Sequence, residues 1–159
     1  MLAIDYAKSI RTEHRGQCSV IGGGQAGAEM AAFVHGMLGN VLEMDDLHRT
    51  SILHAGNVII PAVLAAVEET GCAPEVVTRA IVIGYEVATR IGVVAAKGGY
   101  TNWYNSGTCG IFGATAAAAV IYDLDHEAMC GAFGTAGMQA SGVWPVSYTH
   151  LTLPTILRV

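Results

Sequence analysis

The sequence predicts an all-α protein whose helices pack through small residues, as in a helical bundle. Apolar residues make up 52% of the chain and charged residues only 13%, about half the charged share of an ordinary soluble domain. Strand signals are almost absent, and Cys18 to Ile21 is the one candidate. With so little charge to solvate them, the helices are expected to bury their surfaces against each other or against further parts and partner subunits.

Helices follow one another along most of the chain. Pro61 falls near the predicted start of one helix, where a backbone N–H has no partner to lose. Gly71 ends that helix, Glu86 and Arg90 lie four residues apart and can pair, and Asp125 is a candidate N-cap. The predicted helices are Ala28 to Leu38, Asn57 to Thr70, Glu75 to Ala96, Gly107 to Tyr122 and His126 to Ser141.

The last two predicted helices repeat small residues at three- and four-residue spacing. Such stripes let helix backbones approach closely, so we expect both helices to pack tightly and expect no binding site from the stripes themselves. The stripes are Gly110, Gly113 and Ala117 in one helix and Gly131, Gly134 and Gly137 in the next.

Charge and cysteine usage exclude several classes of function. The net charge is −5 and the eight Lys and Arg are scattered, so we expect no nucleic-acid partner. The four cysteines form no Cys-x-x-Cys pair, which argues against a disulfide framework or structural zinc. Charged residues interrupt any signal peptide, and the longest uncharged run, Gly107 to Tyr122, is shorter than a roughly 20-residue membrane span. We therefore expect a cytoplasmic protein without a membrane partner.

A glycine-rich segment from Gly22 to Gly27 offers one alternative function. It satisfies the G-x-G-x-x-G pattern and precedes a predicted helix, and Glu43 lies about twenty residues further on, where a dinucleotide-binding fold places its ribose-binding acid. Because no parallel strands follow, we favour a glycine-rich turn that leads into the first helix. A dinucleotide-binding module remains the alternative.

The densest group of polar side chains lies between the first two predicted helices. Histidines beside carboxylates suit general acid–base chemistry near neutral pH. Two other interpretations stay open: Asp45 and Asp46 can cap a helix, or Asp45, Asp46, His48 and His54 can ligate Mn, Fe or Zn. Because the spacing matches no strong metal signature, we expect no metal. The three acids and two histidines are Glu43, Asp45, Asp46, His48 and His54.

Several ordered motifs between Gln17 and Gly142 resemble the MmgE/PrpD family, whose pattern reads roughly A-A-F-V-N-G, L-D-Y-D-D-T-H and H-P-G. The corresponding segments are Ala31-Ala32-Phe33-Val34-His35-Gly36, Leu42-Glu43-Met44-Asp45-Asp46-Leu47-His48 and Leu53-His54-Ala55-Gly56. Further matches are Gly84-Tyr85-Glu86-Val87-Ala88-Thr89-Arg90, Gly107-Thr108-Cys109-Gly110-Ile111-Phe112-Gly113 and Gln139-Ala140-Ser141-Gly142.

The resemblance implies a lyase that works without metal or organic cofactor. Family members such as 2-methylcitrate dehydratase and cis-aconitate decarboxylase have a large helical domain, a smaller α/β lid and a dimeric assembly. We therefore expect residues 1–144 to be a partial helical domain, incomplete at both ends, of an enzyme that dehydrates or decarboxylates a small di- or tricarboxylic acid. Such a fragment is expected to be inactive alone, and an inactive fragment that serves only for interaction is a further alternative.

The tail from residue 145 to residue 159 differs from the rest, since it is rich in Thr, Leu and Pro and lacks helical periodicity. It is either translated adapter sequence or an ordinary unstructured C-terminus, and we assign it no function.

The resemblance also implies roles for individual residues. His54 matches the family's catalytic histidine, and Glu43 occupies the position of a catalytic aspartate, so both are expected to be catalytic. Asp45 and Asp46 match unchanged, and Tyr104 falls where many members have a second histidine; these three are expected to bind substrate. A substrate-contacting threonine is replaced by leucine at position 47, so the resemblance does not specify the acid.

Overall fold

The computed structural model describes residues 16–98 and 103–143, and this part of the chain is predominantly helical. The predicted all-α class is confirmed, with one small two-stranded sheet added to it. The helices are α1 (Ala28–Asn40), α2 (Gly56–Thr70), α3 (Pro74–Lys97), the short α4 (Asn105–Thr108), α5 (Gly110–Ile121) and α6 (His126–Gln139), and the strands are β1 (Cys18–Ser19) and β2 (Gln25–Ala26).

The glycine-rich segment forms the turn of a β-hairpin. β1 and β2 pair antiparallel, and Gly22, Gly23 and Gly24 between them all have positive φ, which glycine adopts without steric cost. His35 of α1 fixes the hairpin to the helix, because its Nε2 accepts the N–H of Ile21 at 3.1 Å. The dinucleotide-binding interpretation is therefore wrong, since that fold needs a glycine turn between a parallel strand and its helix.

Helix ends follow several of the sequence signals. Gly71 ends α2 in the left-handed conformation at φ 64°, and its N–H donates to the carbonyl of Val67. The Asp125 carboxylate caps α6 by accepting the N–H of Ala128 at 2.8 Å. Glu86 and Arg90 pair on the exposed face of α3. Each of these local predictions is confirmed.

Two predictions about helix boundaries are wrong. α2 begins at Gly56, so Pro61 lies inside the helix and not in its first turn. Its ring removes the hydrogen bond that would reach the Asn57 carbonyl, and this carbonyl faces α1 at Gly36. The predicted helix from Gly107 to Tyr122 is interrupted at Cys109, which separates α4 from α5.

The core forms where α5 crosses α2 and α3. Gly113 of α5 lies so close to α3 that a Cβ added to it would stand 2.6 Å from both the Ala88 Cβ and the Gly84 carbonyl oxygen. Gly110 approaches Val58 of α2 in the same way. The prediction of close packing is confirmed for this stripe, because any larger side chain would separate the helices.

Two of the three glycines of the second stripe face no neighbour, whereas a Cβ added to Gly137 would lie 3.9 Å from the Phe112 ring. No atom lies within 4 Å of a Cβ added to Gly131 or Gly134, and Met138 on the same helix is 91% exposed. α6 contacts α5 where Phe133 stacks on Phe112 with ring centroids 6.2 Å apart. The prediction of tight packing is therefore wrong for Gly131 and Gly134. Among the described residues no helix combines the length and apolar content required to cross a membrane.

Candidate active site

The polar group of the sequence lies on the loop between α1 and α2, and helices distant along the chain hold this loop. The Asp46 carboxylate accepts the N–H of Gly56, the first residue of α2, at 2.9 Å. Tyr85 of α3 reaches the same carboxylate: burial, the negative charge of Asp46 and the hydrogen bond to it raise the pKa of the Tyr85 phenol. Asp46 therefore bonds the first N–H of α2, as the capping interpretation expected of it, whereas Asp45 caps no described helix.

The middle of the loop forms a tight turn around a buried serine. The N–H of His48 donates to the Leu53 carbonyl at 2.9 Å, and the His48 Nδ1 lies 2.7 Å from the hydroxyl of Ser51. Ser51 is fully buried, and its carbonyl accepts the side-chain amide of Asn105 in α4 at 2.7 Å. The imidazole of His48 is thus engaged within the turn itself.

His54 lies where the loop meets α2, and its backbone is fixed while its ring remains accessible. Its N–H donates to the Ser106 hydroxyl of α4 at 3.0 Å. The ring Nδ1 lies 3.4 Å from the Oδ2 of Asp45, and the side chains are 26% and 9% exposed respectively. This contact lies within ion-pair distance but lacks hydrogen-bond geometry, so the His54 Nδ1 has no hydrogen-bond partner among the described residues. The other carboxylate oxygen of Asp45, Oδ1, has none in these residues either. The carboxylate beside His54 is therefore that of Asp45.

Asn40, the last residue of α1, contacts two of the three acidic residues of this loop. Its side-chain amide donates to the Asp45 Oδ2 at 3.3 Å, and its carbonyl accepts the N–H of Glu43 at 3.1 Å. Glu43 has φ 50° in the left-handed region, an uncommon conformation for a residue with a side chain. The loop therefore holds the Glu43 backbone against Asn40 and the Asp45 carboxylate beside His54.

Glu43 lies at an open cavity of about 1040 Å³ between α1, α2 and the loop. This volume is at the upper end for small-molecule pockets. The described lining is mostly apolar, with Asn40, Glu43 and Asn57 as its polar members, and it includes neither His54 nor any Lys or Arg. The cavity therefore does not include the His54–Asp45 contact, and its described walls present no cation for a carboxylate substrate.

Tyr104 lies at the N-terminus of α4, two residues before Ser106. Its N–H donates to the Gly142 carbonyl at 2.9 Å, which joins α4 to the chain after α6. Tyr104 thus belongs to the segment that holds His54, and its predicted role in substrate binding stays a prediction.

The metal interpretation finds no support in residues 16–98 and 103–143. Asp45 contacts His54, whereas Asp46 bonds the start of α2 and His48 bonds Ser51. No group of three His, Cys, Asp or Glu side chains in this part of the chain could hold an ion. The four residues therefore divide between separate contacts.

Sequence reasoning missed the residues that hold this loop. Tyr85 lies within a family motif, but its spacing does not show that it reaches Asp46. Polar side chains beside apolar helices were the only sequence signal for the other three, Asn40, Asn105 and Ser106.

A helical domain with a histidine–carboxylate pair on an interhelical loop is compatible with an acid–base enzyme. The family profile of the MmgE/PrpD N-terminal domain matches residues 3–155. The chain therefore belongs to the MmgE/PrpD family. The predicted boundary at residue 144 lies outside the described residues and stays a prediction.

Two fungal proteins are similar to this chain. The cis-aconitate decarboxylase-like protein oryM of Aspergillus oryzae is 32% identical over 146 residues, which cover 86% of this chain and 30% of that protein. The cis-aconitate decarboxylase of Aspergillus terreus is 34% identical over 147 residues, covering 86% and 29%. The chain spans less than a third of the length of either relative.

Proposed function

We propose that this chain supplies the His54 part of the active site in a lyase that removes water or carbon dioxide from a small di- or tricarboxylic acid. The observation that carries the proposal is the accessible His54 ring 3.4 Å from the buried carboxylate of Asp45. The similarity to cis-aconitate decarboxylases supports the substrate class, with 2-methylcitrate and cis-aconitate as the first candidates.

The proposed chemistry needs one group that exchanges protons. Dehydration requires a base that takes a proton beside a carboxylate and an acid that assists the loss of hydroxide. Decarboxylation requires a proton for the carbanion-like carbon that carbon dioxide leaves behind. In the dehydration, neutral His54 can accept the proton beside the carboxylate. In the decarboxylation, protonated His54 can deliver the proton to the carbon. No metal or organic cofactor enters either step.

The remaining predicted site residues have secondary roles in this proposal. Glu43 is the second catalytic carboxylate, and Asp46 and Tyr104 contact the substrate when the site is complete. The substrate carboxylates require cationic partners, and the described cavity lining contains no Lys or Arg. We propose that regions beyond this chain, in a cytoplasmic homodimer, provide those cations.

The test is His54→Ala in the full-length protein that contains this chain, assayed with cis-aconitate and with 2-methylcitrate. We expect kcat to fall by about 10²–10⁴-fold, the usual contribution of a positioned acid–base group. Thermal unfolding should change little, because the partly exposed ring contacts only the Asp45 side chain among the described polar contacts.

His48→Ala is the matched control, because this second loop histidine is engaged with Ser51. We expect it to retain most of the activity. Normal turnover by His54→Ala together with loss of turnover by His48→Ala would contradict the assignment of the proton-transfer group.

A further inference from the structure

The Asp45 carboxylate is largely buried, and its hydrogen bonding is incomplete. Its side chain is only 9% exposed, and a buried carboxylate is costly unless hydrogen bonds or opposite charges compensate it. Its Oδ2 receives the Asn40 amide at 3.3 Å and lies 3.4 Å from the His54 Nδ1, while Oδ1 has no partner among the described residues. The buried Nδ1 of His54 also lacks a hydrogen bond. The two unsatisfied groups thus lie side by side.

We propose that Asn40 and Asp45 are positioning residues for His54. Asn40 holds the Asp45 carboxylate, and Asp45 accepts the Nδ1–H of His54 once a small side-chain rotation shortens the contact, as hydrogen bonds in unliganded active sites often tighten on binding. A carboxylate in this position holds an imidazole in one tautomer. The Nε2 of His54 then keeps its lone pair for proton exchange with the substrate.

The other two carboxylates of this loop have different surroundings. Glu43 is exposed, lines the open cavity and is turned by its bond to the Asn40 carbonyl. Asp46 is bonded to Gly56 and Tyr85. Asp45 is therefore assigned to orient the histidine, where sequence similarity had suggested a substrate ligand.

Asn40 has two functions in this arrangement. Its side chain restrains Asp45, and its carbonyl fixes the backbone of Glu43. One residue at the end of α1 thereby sets the separation between the carboxylate that orients His54 and the carboxylate that faces the cavity. The effect of Asn40 on turnover rests on the proposed function, whereas its effect on the His54 tautomer does not.

The tautomer test uses ¹⁵N-histidine-labelled full-length protein, in which ring nitrogen shifts report which nitrogen carries the proton. We expect the Nδ1–H form of His54 in the wild type. Asp45→Asn should shift the population toward the Nε2–H form, and Asn40→Ala should shift it partially. Glu43→Gln is the matched control, since it removes a neighbouring charge without touching His54, and should leave the tautomer unchanged.

The activity test separates positioning from substrate binding. Asp45→Asn should lower kcat by about 10²–10⁴-fold while KM changes little, because a misoriented histidine loses proton transfer and not affinity. A rise in KM at unchanged kcat would overturn the proposal in favour of a substrate ligand.

Further outcomes of these experiments would overturn either the positioning roles or the proposed function. A wild-type Nε2–H tautomer, or a tautomer that responds to Glu43→Gln and not to Asp45→Asn or Asn40→Ala, would overturn the positioning roles. If Asp45→Asn fails to fold, Asn40→Ala carries the test. Absence of lyase turnover in a protein with the expected tautomers would refute the proposed function and leave the positioning arrangement intact.

Discussion

Tyr85 and Asp46 illustrate how single polar contacts hold the loop that carries His54. The Tyr85 phenol comes from the middle of α3, and Asp46 accepts it together with the N–H of Gly56. One carboxylate therefore connects the loop, the start of α2 and the side of α3. Loss of this contact should loosen the loop without unfolding the helices.

Tyr85→Phe should destabilise the protein by about 1 kcal/mol at neutral pH, near the lower end for hydrogen bonds to charged groups because Asp46 is exposed. Burial, the Asp46 charge and the hydrogen bond raise the folded-state pKa of Tyr85. Its stabilising contribution is thus complete below about pH 10, where the unfolded phenol is protonated, and is lost as the pH rises through the folded pKa. Urea unfolding between pH 7 and pH 12 measures both effects.

Tyr122→Phe is the matched control for the alkaline range. Burial, the hydrogen bond to Glu69 and the negative charge of Glu69 raise the pKa of Tyr122 to about 12. Each variant should therefore remove part of the alkaline loss of stability, and the double variant more. An unchanged pH dependence in Tyr85→Phe would show that its phenol does not contact Asp46.

The candidate site was predictable from the sequence only in part. Three acids and two histidines within a short segment indicated acid–base chemistry, and the structure does bring Asp45 to His54. The sequence could not show that His48 is engaged in a local turn. Nor could it identify Ser106, which contacts His54 from 52 residues away, because such a contact depends on how the helices pack.

At the scale of elements, glycines from two stripes with similar spacing have opposite environments. Gly113 contacts α3 directly, whereas the corresponding side of α6 around Gly134 is open. Spacing alone predicted both stripes equally well, because it describes a helix face and not the presence of a neighbour. The wrong prediction for Pro61 has a similar cause. α2 begins at Gly56, before the apolar pattern does, and Pro61 therefore lies inside the helix.

Gly113→Ala and Gly134→Ala should change stability in opposite directions. A Cβ at Gly113 would meet the Ala88 Cβ and the Gly84 carbonyl oxygen at 2.6 Å, and such overpacking costs about 1–3 kcal/mol. A Cβ at Gly134 meets nothing within 4 Å, so alanine should stabilise the helix by about 0.5–1 kcal/mol. Thermal unfolding of the two variants measures the difference, and equal effects would contradict the packing of α5 on α3.

At the scale of the whole molecule, several large apolar side chains are exposed to solvent. Met44 is 83% exposed and Met138 is 91% exposed, and Val41, Leu42 and Val94 are also exposed. Because large exposed apolar patches mark interaction surfaces, we propose that further protein covers these side chains in a complete assembly. The chain spans about 30% of the length of its relatives, which is consistent with that interpretation.

The purified 159-residue chain should associate or aggregate and should show no turnover of cis-aconitate or 2-methylcitrate. Size-exclusion chromatography with light scattering measures the first property. Met138→Glu should shift the sample toward monomer, because it places a charge on the exposed face of α6. A monomeric wild-type chain with lyase turnover would contradict both expectations.

The contacts that hold the His54 loop have a consequence for folding. Ser106 and Asn105 bond residues 52 and 54 positions earlier in the chain, so these bonds require a long loop to close, with an entropic cost that grows with its length. Local helices form in microseconds or less, whereas contacts between distant segments form more slowly. The geometry around His54 is thus expected to be acquired late, when α4 docks against a preformed helical framework, and to be among the first features lost during partial unfolding.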